Sequence, residues 1–160
     1  MTSQAIALPS PSLLTRLFAT DRGLPPLVLR AALAFVMLPH GAQKALGWFG
    51  GYGWSGTMGF LTGTIGMPSI AAAGVILLEL LGPIFLLAGI ATRAVALGFL
   101  GLMVGAIATV HAPHGFFMNW SGAQQGEGYE YHLLVIGMAA ALVVAGGGRW
   151  SVDRGIAARV

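Results

Sequence analysis

The sequence predicts an all-α integral membrane protein, a four-helix transmembrane bundle with both termini in the cytoplasm. Three observations point there. Hydrophobic residues make up 56% of the 160 positions and charged residues only 8%, against about 25% charged in an average soluble domain, so too little polar surface exists to cover a globule in water. The mean hydropathy is +0.81, and the apolar residues fall into four runs approaching the roughly 20 residues that one crossing needs. The arginines gather at alternate ends of those runs. A sequence pI of about 10.0 therefore reports topology, and no nucleic-acid partner is expected.

Residues 1–25 are rich in Pro and Ser and end in "GLPP". Within them "SLLTRLFA" reads equally as a short segment on the membrane surface or as a frayed tail. No basic region precedes the apolar residues and no small-residue cleavage site follows, so the first span is expected to stay in the mature protein. Span one runs from about Pro26 to Gly47, with Pro39 expected to bend it. The stretch "WFGGYGWSGTMGFLTGTIG" then reads as a glycine-rich, aromatic loop folded back onto the membrane interface. It has no GxxxxGK[ST] pattern and is not a phosphate cradle.

Span two covers about Met67 to Ala91. Arg93 follows at once, which makes a tight hairpin into span three, Arg93 to His111. A polar loop, "APHGFFMNWSGAQQGEG", leads to span four, Tyr129 to Gly147, which "GGG" closes before Arg149. The domain organisation expected is a tail over 1–25, one transmembrane domain over 26–153 and a C-terminal tail over 154–160.

Orientation follows from the basic residues. Arg16, Arg22, Arg93, Arg149, Arg154 and Arg159 fall on one face, with Arg30 just inside it, while Lys44 stands on the other beside Glu127 and Glu130. The positive-inside rule puts the arginine face in the cytoplasm. Trp48, Trp54 and Trp120 fall on the opposite face, where an interfacial aromatic belt belongs. "PHG" occurs at Pro39-His40-Gly41 and again at Pro113-His114-Gly115. A parallel repeat of two helix hairpins would produce this echo, and so would chance.

The polar residues inside the spans are the functional candidates. At a rise of about 1.5 Å per residue, Glu79 and His40 lie about 20 Å from the arginine face, His132 about 25 Å, and Lys44 and His111 about 27 Å, with Glu130 slightly beyond His132. Six polar residues from four helices thus converge in the outer half of the bundle. A lone charge at the centre of a span costs about 2.5 to 3.5 kcal/mol, so Glu79 is expected to face inward and to be either protonated or bonded to His40 or Lys44, which share a helix face at i,i+4. A proton-exchanging site and a polar clasp that fixes helix packing both fit. Arg30 reads as an anchor snorkelling to the headgroups or as a ligand contact. No metal site is expected, since no ligand spacing such as HExxH appears, although His40, His111, His132 and Glu79 are suitable donor types. With no cysteine, thiolate and persulfide chemistry within the chain is excluded.

Over about Leu27 to Asp153 the chain resembles the DoxX family of small bacterial and archaeal four-helix membrane proteins. The resemblance rests on Arg30, on "HGAQKALGWFGG", on "ELLGPIFLLAGIATR", on "HAPHGFF" and on "GYEY". It implies a multi-pass protein of a bacterial inner membrane. The family's namesake is a small subunit of a thiosulfate:quinone oxidoreductase, and other members look like partners of redox-defence proteins. Sulfur chemistry here would need a noncovalent site or another subunit.

The function expected is a membrane subunit of a redox system. Glu79 and His40 are its expected proton-handling residues, and Lys44, His111, His132, Glu130 and Arg30 its expected contacts to a quinone head group or small anion. The alternatives are a non-catalytic accessory or assembly subunit of a larger membrane complex and, less favoured because four helices leave little lumen, a small-solute carrier.

Overall fold

The computed structural model describes residues 19–20 and 23–159; the expected surface segment as far as Phe18, with Arg16 and Arg22, lies outside them. Among the described residues every regular element is helical. Helix α1 spans Pro25–Leu46 and starts on paired prolines, whose preset φ suits the first helical turn. It runs through Pro39. After a single turn at Trp48–Gly50 comes α2, Gly53–Gly59, continued by a wider turn over Phe60–Thr64.

The glycine-rich stretch is therefore a helix folded onto α1, not the irregular loop its composition suggests. Propensity is overridden by packing: Gly51 lies so close to the backbone of Gln43 that any side chain would collide with it, and Thr57 donates to the Lys44 carbonyl at 3.1 Å. Helix α3 is Ser69–Ala88, and α4 is Thr92–Ala106, prolonged by distorted turns as far as His114. Between them Gly89 takes φ +66, a conformation open to glycine at little cost, and ends α3. Helix α5 is Glu130–Ala145 and α6 is Val152–Ala157.

Helix α1 packs chiefly on α3 and α4 chiefly on α5, while α3–α4 and α1–α5 contacts close the ring. The shared core holds Leu33, Met37, Leu86, Phe99, Met103, Val135 and Leu142. Lipid gives no hydrophobic drive for helices to associate, so close approach has to supply it. Gly41 provides that approach, because α1 rests there directly on the backbone of Glu79 and Leu80. Large apolar side chains such as Phe35, Ile70 and Leu134 point outward, as hydrocarbon surroundings allow. Three helices are long and apolar enough to cross a membrane: α1, α3 and the continuous run Thr92–His114. Helix α5 is apolar but has 16 residues, about 24 Å at the helical rise, a little under the ~30 Å of hydrocarbon.

One end of the bundle is closed by polar clamps. Arg30 is 1% exposed and gives its guanidinium to four carbonyls, those of Leu86 (2.7 Å), Leu87 (3.0 Å), Arg149 (3.1 Å) and Trp150 (3.3 Å). The snorkelling anchor expected of it is not what it forms; the carbonyls left free at the end of α3 take the guanidinium instead. Asp153 accepts from the N–H groups of Ala91 (2.7 Å) and Thr92 (2.8 Å), capping α4 from the far end of the chain. Arg93 donates to the carbonyls of Val143 and Ala19. The two PHG triplets do not match in conformation. His40 and Gly41 are helical, whereas Gly115 leaves its turn at φ +80.

Candidate functional site

At the opposite end, the last turn of α1 carries Lys44, where a cation suits the helix C-terminus. Because Gly41 seats α1 against Glu79, the lysine one turn later reaches over the carboxylate. Its Nζ lies 2.5 Å from Oε1 and 2.6 Å from Oε2. The two partners differ in surroundings: Glu79 is 1% exposed and the Lys44 side chain 39%. The carboxylate in the apolar run is thus held by the lysine at its own depth.

Beside this pair lies a cleft of about 560 Å³, between α2 with its continuing turn, α3 and α4. Its walls are apolar, from Phe60, Leu61, Leu78, Leu97 and Leu102 among others, and Gly98, Gly101 and Gly105 leave room along α4. The polar residues of its lining are few: Lys44, Glu79, Thr57, Thr109 and His111. A cavity of this size, with apolar walls and a few convergent polar groups, suits a small amphipathic molecule.

The six residues expected to converge are only partly brought together. Lys44, Glu79 and His111 line the cleft. His132 is buried and packs against His111, with ring centroids 4.0 Å apart and the rings tilted by 46°. His40 is exposed, does not line the cleft, and has its ring 5.8 Å from that of Tyr131 on α5. It stands next to Gly41 at the α1–α3 contact, near enough to feel the charges of Lys44 and Glu79, but makes no hydrogen bond to the carboxylate, which Lys44 takes. Glu130 braces the preceding loop, accepting from the Met118 N–H (2.9 Å) and the Trp120 indole (3.3 Å). Arg30 sits among the clamps at the far end and contacts nothing in the cleft. Among the described residues no group of three or more His, Asp or Glu is arranged to hold a metal ion.

Sequence reasoning missed Thr57, Phe60 and Leu61, which reach the site from the stretch read as a loop. Their pattern carries no helical signal strong enough to outweigh seven glycines between Gly50 and Gly66.

The family model described as DoxX matches residues 26–112, more than half of the chain. The chain belongs to the DoxX family. The match in this DoxX protein takes in α1 to α4, and with them every residue that lines the cleft; α5, with Glu130 and His132, lies beyond it. The chain is also 32% identical over 116 residues to a protein of Bacillus subtilis (strain 168) named "Putative oxidoreductase CatD", a match covering 72% of this chain and 76% of that one. No solved structure matches. Family and helices together make this DoxX protein a membrane protein.

Proposed function

We propose that this protein is a membrane subunit of a redox system that binds a quinone head group in the cleft beside Lys44 and Glu79. In this reading it crosses a bacterial inner membrane four times, α5 being the fourth span, and both termini lie in the cytoplasm. One observation carries the ligand class: a charge-compensated ion pair lines a mainly apolar cleft. A small anion would find the lysine already neutralised. A neutral ring with carbonyl oxygens could use the ammonium hydrogen that the carboxylate leaves free, since lysine has three, while its apolar tail lay along Leu61, Leu78 and Leu102. Reduction of such a quinone to its quinol takes two electrons, supplied by a partner redox protein, and two protons. His111 is the imidazole placed to deliver a proton, because His40 stands outside the cleft. The relative's name as an oxidoreductase agrees with the class of reaction.

The test is extraction of the purified protein from mild detergent and measurement of the quinone it retains. Near-stoichiometric quinone in the wild type, lost in Lys44→Met, is the expected result. Absence of quinone together with a stable heteromeric complex would instead support the accessory-subunit reading. That second reading is favoured by the aromatic surface at the same end, where Tyr52 and Trp120 are each 87% exposed.

A further inference from the structure

Helices α3 and α4 touch closely only near the turn that joins them. A side-chain carbon added to Gly82 would stand 3.0 Å from the Phe99 ring, and one added to Gly98 would stand 3.0 Å from a methyl of Leu78. Farther along the two helices part. Gly74 on α3 and Gly101 and Gly105 on α4 all line the cleft and are all exposed. A carbon added to any of the three would meet nothing within 4 Å. Because the helices run antiparallel, the contacts nearer the turn put Gly74 at about the depth of Gly105. The cleft therefore has a mouth on the outside of the bundle, with bare backbone on both of its edges.

Depth tells what lies in front of that mouth. Counted from Arg93 at the helical rise, Gly101 and Gly105 lie about 12 and 18 Å along α4. That is near the middle of a hydrocarbon layer about 30 Å thick, and both helices are long and apolar enough to cross it. Exposure at this depth is contact with lipid tails. A solute dissolved in water would have to shed its hydrogen bonds and cross hydrocarbon to reach the mouth. A molecule dissolved in the bilayer is already there. Inside the same cleft stand Lys44 and Glu79, their charges joined.

We infer that the cleft is filled sideways from the bilayer, through a portal between Gly74 on α3 and Gly101 and Gly105 on α4, by an amphiphile with one compact polar end and a long apolar tail. The portal rests on the cleft being a ligand site, as in the redox reading, and narrows that reading to quinones that carry a tail. The polar end reaches the Lys44–Glu79 pair, and the tail trails out between the glycines into the lipid. The missing side chains give the tail its passage. No covalent bond forms or breaks.

The test closes the portal without touching the pair. Gly101→Leu and Gly105→Leu add their first carbons to open space, and leucine suits a helix better than glycine, so melting temperatures at or above the wild type are expected. The probe is a long-chain alcohol with a diazirine beside its hydroxyl end, dissolved in lipid nanodiscs free of quinone. After illumination, the labelled positions are read by mass spectrometry. Glu79 and Thr57 are 1% and 5% exposed, so label on them reports entry into the cleft and not contact with the lipid-facing surface. The wild type is expected to carry label at both, and the two leucine variants to lose it. Val104→Leu, at a position 51% exposed on the same helix and outside the cleft lining, is expected to label like the wild type. A wild type unlabelled at both residues, a folded glycine variant labelled as heavily as the wild type, or an equal loss in Val104→Leu overturns the portal. Quinone retention, measured on separate samples, reports on the redox reading: wild-type protein that takes up the alcohol but never retains quinone defeats that reading and leaves the portal standing.

Discussion

Lys44 and Glu79 share one ion pair but not one environment, and the difference predicts unequal mutants. Removing Glu79 leaves an ammonium that is already 39% exposed and can turn to water or headgroups. Removing Lys44 leaves a carboxylate at 1% exposure with no counter-charge, and breaking a buried pair in that sense costs about 3 to 5 kcal/mol. Lys44→Met is therefore expected to lower the detergent melting temperature more than Glu79→Gln, and the double variant Lys44→Met/Glu79→Gln to recover much of the loss. Equal losses in the two single variants would show that the pair is not the asymmetric contact described here. Glu79→Gln also separates clasp from site. A stable Gln variant that no longer retains quinone supports a ligand role for the charged pair, whereas full retention reduces Glu79 to a structural residue. At this scale the sequence was informative about depth and silent about direction. It placed Glu79 and Lys44 in the same outer half of the bundle, but it placed His40 there too.

The helices are joined by contacts that their own sequences do not announce. Helix α4 starts at Thr92 behind Ala91, a non-glycine residue at φ +48, and its first N–H groups find no acceptor on their own side chains. Asp153, some sixty positions later, supplies both acceptors. Asp153→Ala is expected to cost about 1 to 2 kcal/mol, the upper part of the range for losing a helix cap, seen as a lower melting temperature with quinone retention intact. Retention lost in step with the cap would tie this end of the bundle to the cleft. Gly41 sets the α1–α3 approach, and Gly41→Val is expected to push the helices apart by steric overlap, at about 1 to 3 kcal/mol or more, and to draw Lys44 away from Glu79. A Val variant as stable as the wild type would contradict the close contact with Glu79 and Leu80. A second close approach, of Gly51 to the backbone of Gln43, precedes α2, and composition cannot distinguish such a glycine from the loop glycines around it.

For the whole molecule, the distribution of charge makes the strongest prediction. Arg30, Arg93 and Arg149 meet at one end of the bundle, while Lys44, Glu127 and Glu130 stand toward the other. Single cysteines at the exposed positions Ser55, Ser121 and Ala158 should separate by side when labelled with an impermeant maleimide in vesicles of known orientation. Ser55 and Ser121 are expected to react from the periplasmic face and Ala158 only from the cytoplasmic face. Labelling of Ser55 and Ala158 from one side would remove α5 as a fourth span, the point on which its 16 residues bear most directly.

The membrane environment and the order of the long apolar helices were determined by the sequence alone, because burial in lipid demands long apolar runs and leaves them visible as composition. Glu79 likewise stood out, since a charge among apolar residues is conspicuous wherever the chain folds. The tertiary structure decided which polar groups face one another. Arg30 became a clamp on four carbonyls, His40 was left out of the cleft lining, and His132 was packed against His111. Rotation about each helix axis and the angle at which helices meet settle these outcomes. Both are fixed by close contacts such as Gly41 on Glu79, between residues far apart in the chain, and no local pattern records them.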